Sequence, residues 1–93
     1  MKYRKERLYL KTLLPPYKRE LLSFDIWNER EKRLVELVFL EKRSIDNIVF
    51  NKLMPYERTS LFEIKKNVFL KLKKWLKTTS KTEYKLLYKN LIY

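Results

Sequence analysis

Residues 31–76 read EKRLVELVFLEKRSIDNIVFNKLMPYERTSLFEIKKNVFLKLKKWL, and the fold turns on them. Apolar residues recur at helical spacing through 29–42, stop, and resume in a short run that opens at Ser44. Pro55 breaks the pattern, and a long basic amphipathic run then extends over 57–77. A helix, a short helix, a break and a long helix, in that order, match the arrangement of a helix-turn-helix DNA reader. The expectation is a compact all-α domain of five to six helices. Its helix-turn-helix lies at 44–76, supported by the helix at 29–42 and ending in a long basic recognition helix.

Working outward, Asn28 is a natural N-cap, and acids at Glu29 and Glu31 suit the first turn of the helix that follows. That helix should bury Leu34, Leu37, Val38 and Leu40. Ser44 caps the next helix, which runs to about residue 52 with Ile45, Ile48 and Val49 inward. Upstream, 2–14 can form a helix with Leu10, Leu13 and Leu14 on one side. Pro15-Pro16 stops it, and Pro16 is well placed to start a second helix to residue 22. Downstream, 78–81 are poor helix formers. Thr82 then caps a last helix over 83–91 carrying Tyr84, Leu87, Tyr88 and Leu91. No alternating strand pattern of useful length appears. The chain therefore reads as one domain, 1–93, made of basic N-terminal helices (1–22), the support helix with the motif (29–77) and a C-terminal helix (82–92).

On a helical wheel the long helix divides sharply. Leu61, Ile64, Lys65, Val68, Leu72 and Trp75 share one arc, widened by Phe62, Phe69 and Leu76. The other side collects Thr59, Glu63, Lys66, Asn67, Leu70, Lys73, Lys74 and Lys77. Read functionally, the first turns offer groups to base edges and the later lysines neutralise phosphates. Arg58 suits guanine, Asn67 suits adenine, and Thr59 or Ser60 serves base or phosphate. A lysine-covered face is also what any solvated helix presents, so the preceding helix pair and the charge partition carry the argument. Leu70 reads as an isolated exposed leucine or a partner contact, while Trp27 and Trp75 read as core or core edge. The tyrosines Tyr84, Tyr88 and Tyr93 read as a packing face.

Charge is lopsided. The 93 residues carry a net +12, with +5 in 1–22, −1 in 23–57 and +8 in 58–93. Such an excess points to a polyanion, and its partition turns the two ends toward it. Apolar residues at 45% suffice for a core. There is no His, Cys or Gly. Zinc sites, thiol nucleophiles, disulfides, imidazole bases and glycine-rich phosphate loops are thereby excluded. The carboxylates form no acid pair with a metal or catalytic partner. Glu29 with Arg33 and Asp46 near Lys42 read as ordinary helical ion pairs. No catalytic, cofactor or metal role is expected. No apolar run nears the roughly 18 residues needed to span a bilayer, and the first 14 are too charged for a signal peptide, so a cytoplasmic location is expected. Without glycine, turns with positive φ should fall to Asn or be replaced by longer connections.

Two segments carry a family resemblance. KRLVELVFLEKRSIDNIV (32–49) and YERTSLFEIKKNVFLKL (56–72) resemble sigma-70 region 4-like helix-turn-helix modules. Among these they are similar to small late-transcription regulators of phages of Gram-positive bacteria, of the RinA, ArpU and LtrC kind. The resemblance spans about half of the chain. It implies sequence-specific binding to double-stranded promoter DNA and activation of a late operon in a bacterial host cell. Carried over by position, base reading would fall to Arg58, Thr59, Ser60, Glu63, Lys66 and Asn67, with Lys73, Lys74 and Lys77 on phosphates. The turn departs from the pattern, being longer than the roughly 3–4 residues of a tight motif. It also contains Pro55, and Val49 stands where a small residue is favoured. Two rivals stay open. One is a protein-binding regulator, an anti-activator or a protein that binds RNA polymerase or sigma factor on the same scaffold. The other is a basic amphipathic membrane-surface protein, disfavoured because the apolar residues are enough to build a core. Host RNA polymerase, a regulatory protein and a second copy of the chain remain open as further partners.

Overall fold

The computed structural model describes residues 3–91. Six α-helices follow one another: α1 Arg4–Thr12, α2 Pro15–Ser23, α3 Glu29–Val35, α4 Ile45–Phe50, α5 Arg58–Thr78 and α6 Thr82–Lys89. A π-helical turn, Glu36–Leu40, continues α3. No strand occurs among the described residues.

Local chemistry explains most boundaries. Asn28 and Glu31 form a reciprocal capping box: the Asn28 side chain accepts from the Glu31 N–H, and Glu31 Oε1 accepts from the Asn28 N–H, both at 2.9 Å. Two orphan donors at the start of α3 are thus satisfied. Ser44 caps α4 by accepting from the Asn47 N–H at 3.1 Å. Leu13 and Leu14 are extended, Leu14 as favoured for a residue before proline, and Pro15 and Pro16 occupy the first turn of α2.

The core has two lobes, and α3 with its π turn runs between them. Leu34 and Leu37 enter a lobe with Ile45, Ile48, Met54, Leu61 and Ile64. Val35 and Phe39 enter the larger lobe, which includes Tyr9, Leu10, Leu21, Trp27, Val68, Leu72 and Tyr84. A helix buried on two sides needs two apolar stripes. The run LVELVFL supplies them, one through 34 and 37, the other through 35 and 39. The central helix α5 also serves both lobes, giving Leu61 and Ile64 to the first and Val68, Phe69, Leu72 and Leu76 to the second.

Glu31 binds the two central helices together. It is 3% exposed, and its Oε1 also accepts from Lys71 Nζ on α5 at 2.6 Å. At the other end, α6 closes the larger lobe through aromatic edges. The Tyr84 ring meets Tyr17, Phe24 and Trp75 with centroids 5.4–5.9 Å apart. Its hydroxyl donates to Glu20 at 2.7 Å, and Tyr9 donates to the Tyr84 carbonyl at 3.2 Å. Burial keeps both phenols protonated well above the ordinary tyrosine range.

Several side chains lie elsewhere than their periodicity suggests. Leu14, Val49, Phe62 and Leu87 are exposed rather than inward. Leu14 and Leu87 line an open pocket with Tyr9 and Tyr17, and Phe62 lines a groove with Arg7 and Lys11, so none of the three is sealed into a lobe. Val35 and Phe39 are buried instead, because a second lobe covers that side of α3. Glu29 pairs with Lys32 and not Arg33, Arg33 with Glu36 and Glu41, and Asp46 with Arg58 across two helices. The α6 start has no side-chain cap, so Thr82 is its first residue and not its cap. Tyr93 lies outside the described residues.

The missing glycines leave a trace in the backbone. Positive φ falls to lysine, Lys42 at 60° and Lys52 at 51°, and not to asparagine. Lys52 follows α4 in a Schellman arrangement, with the Leu53 N–H bonded to the Ile48 carbonyl at 3.0 Å and the Lys52 N–H to Val49 at 3.2 Å. The apolar Leu53 then packs on the lobe that holds Ile48, which compensates for the strained turn. A left-handed non-glycine residue costs roughly 1–2 kcal/mol. Lys52→Gly should therefore stabilise the protein by about 1 kcal/mol, after allowance for glycine's greater freedom in the unfolded chain. Thermal melts would register this as a rise of roughly 4–8 °C. An unchanged or lower midpoint would mean that Lys52 contributes more than its backbone.

Candidate nucleic-acid interface

Every residue singled out on the long helix lies on solvent. Arg58, Thr59, Ser60, Glu63, Lys66, Asn67, Lys73, Lys74 and Lys77 are all exposed. Thr59, Glu63, Lys66, Asn67, Lys73, Lys74 and Lys77 project from the outer side of α5, away from Leu61, Ile64, Val68 and Leu72, whereas Arg58 turns toward α4 and the groove beside it. Thr59, Lys66, Lys73 and Lys77 follow one line at spacings of seven, seven and four, and Glu63, Asn67 and Lys74 a neighbouring one. With a rise of about 1.5 Å per residue, Arg58 and Lys77 stand roughly 28 Å apart along the axis. Leu70 interrupts this polar side and is half-buried.

The first turn of α5 is engaged with α4. Arg58 Nε lies 3.3 Å from Asp46 Oδ1, and the guanidinium sits 5.5 Å from the Phe62 ring centre. Both charged side chains remain mostly in water, so the pair orients Arg58 more than it stabilises the fold. The connection over 51–57 is longer than a tight turn because it contributes to the core. Met54 is buried there, and Leu53 and Tyr56 pack beside it.

Beside this turn opens a groove of about 460 Å³. Arg7 and Lys11 enter it from α1, Lys42 and Arg43 from the turn before α4, and Arg58 and Lys65 from α5. Asp46 is its one carboxylate. Arg43 is held by Glu41 at 3.1 Å and by Asn47 Oδ1 at 2.9 Å. Burial, and then the neighbouring Arg7 and Lys11, press the Lys65 ammonium below the ordinary lysine range.

Nearby, Lys18 is 2% exposed. Its Nζ donates to the Phe39 carbonyl at 2.9 Å, satisfying an end carbonyl of the π turn. Burial, and then Lys42, lower its pKa as well.

No family model, no curated protein and no solved structure matches this chain. The site therefore stands on its own geometry.

Of the groove cations, Arg58 alone is among the candidate residues. Arg7 and Lys11 are one helical turn apart in the basic N-terminal segment, and the +5 charge of that segment was the only sign of them. Lys65 sits on the apolar arc of α5 and is half-buried at the groove wall. Phe62, expected to widen the core arc, instead faces the groove between Arg58 and Lys65. Among the described residues, no helix is long and apolar enough to cross a membrane, and no cluster of three potential metal-ligating side chains occurs.

Proposed function

We propose that the protein is a sequence-specific double-stranded DNA-binding transcription regulator, an activator of late genes in a phage of a bacterial host. In this reading α4 and α5 form the helix-turn-helix, and the regulator acts by binding rather than by catalysis. The observation that carries it is the uncovered outer face of α5. Over its 21 residues this helix sets four of the proposed contact groups on that face as cations, Lys66, Lys73, Lys74 and Lys77, with Glu63 as the single acid among them.

In this reading the labour divides along the helix. Arg58, Thr59, Ser60, Glu63, Lys66 and Asn67 occupy its first three turns, where a helix set in the major groove meets base edges. Lys73, Lys74 and Lys77 stand far enough along the axis to meet backbone phosphate instead. Arg58 would exchange Asp46 for a base, at a cost limited to that of an exposed ion pair.

Competition between specific and random duplex tests the assignment. Arg58→Ala should weaken specific binding by roughly 1–3 kcal/mol and relax sequence preference, whereas Lys74→Ala should weaken all duplexes alike. Equal losses on both duplexes for Arg58→Ala would remove it from the reading set.

One observation favours the second reading, a protein-binding regulator that contacts RNA polymerase or another regulatory protein. Phe50 on α4 is 85% exposed beside the exposed Val49, an apolar pair on the surface of the motif.

A further inference from the structure

We infer that the groove between α1, the turn before α4 and the start of α5 is a phosphate-binding site that grips the DNA backbone beside the recognition helix. This rests on the DNA reading and extends it to residues of the N-terminal helix.

The argument begins with charge density. Six cations from three separate stretches of chain converge on one groove, where Asp46 is the lining carboxylate and engages Arg58, and Glu41 engages Arg43. Gathering like charges raises the free energy of the isolated fold. An anion in the groove would relieve the repulsion, and phosphodiester oxygens are acceptors suited to guanidinium and ammonium donors. Burial, and after it the facing Arg7 and Lys11, lower the affinity of the groove's Lys65 for its proton.

Shape and position narrow the ligand. A groove of about 460 Å³ exceeds what a lone ion fills and suits a sugar–phosphate segment. Phe62 on its wall, with Arg58 and Lys65 at 5.5 and 6.0 Å from its ring centre, offers an apolar surface to a deoxyribose. Because Arg58 and Lys65 belong to α5, a strand lying in the groove runs alongside the helix proposed to read bases. Arg7 and Lys11 then fasten the flanking backbone and widen the footprint. A backbone contact carries no sequence information, so the groove adds affinity without selectivity.

The test uses the full chain and a fluorescent random-sequence duplex, titrated with salt by anisotropy. Each lost phosphate contact should flatten the log–log slope by about 0.9. Arg7→Ala/Lys11→Ala should therefore flatten it by about 1.8, with the same fold-loss on specific and random duplex. Lys11→Glu, a change at an exposed position, serves as the second variant if the double variant melts early. It should weaken both duplexes alike. Wild-type binding with slopes unchanged in both variants would overturn the groove assignment and leave the α5 reading intact. Absence of any salt-dependent binding by the wild type would overturn both.

Discussion

Raising salt from about 50 to 200 mM should weaken duplex binding by roughly a thousand-fold or more, the loss expected for six or more phosphate contacts. The count follows from the surface. Lys73, Lys74 and Lys77 lie along the far half of α5, and Arg7, Lys11, Lys42 and Lys65 line the groove at its start. Each neutralised phosphate releases condensed counterions, and the entropy of that release falls as bulk salt rises. A net charge of +12 on 93 residues steers the encounter as well, so association should slow with salt alongside the loss of affinity. Mobility-shift or anisotropy titrations measure the slope directly. A flat response would favour the protein-binding regulator, because an apolar contact through Phe50 and Val49 would gain nothing from dilute salt.

Leu72→Ala should destabilise the protein by roughly 3–5 kcal/mol, near the upper end for core leucines. Leu72 is fully buried on α5, in the larger lobe where α1, α2 and α6 meet the central helix. Removing its side chain costs the transfer term and leaves a cavity that close-packed neighbours cannot fully collapse. A domain of this size has about 5–14 kcal/mol in total, so a loss of this kind should lower the melting midpoint by well over 10 °C. Ile64→Ala, at 6% exposure in the smaller lobe, should cost about 2–4 kcal/mol. Calorimetric melts showing no loss for either variant would mean that the apolar side of α5 does not face the core.

The expected losses at Leu72 and Ile64 trace to patterns visible in the sequence. Binary periodicity located the buried stripe of α5, and cap chemistry located Asn28 and Ser44. These are local signals: a side chain reaches its own backbone three residues on, and a helix repeats every 3.6 residues whatever surrounds it. Periodicity failed where burial depends on what packs from outside. Val49 and Leu87 occupy apolar positions but stay partly open to solvent, whereas Val35 and Phe39 are covered by a second lobe that one stripe could not announce. The π turn was equally hidden, since its extra residue is accommodated by packing and by the Lys18 bond to Phe39.

The sequence by itself determined the helical class, the order and approximate limits of the helices, and the cationic outer side of α5. All of these follow from neighbours within a few residues along the chain. Only the tertiary structure decided which charges meet. Asp46 turned from the adjacent Lys42 to Arg58, and Glu31 reached across to Lys71. Arg7 and Lys11 came to face Lys65 across a common groove. Electrostatic partners are chosen by distance in space, and residues 54–58 positions apart become neighbours only once α1 is laid against α5.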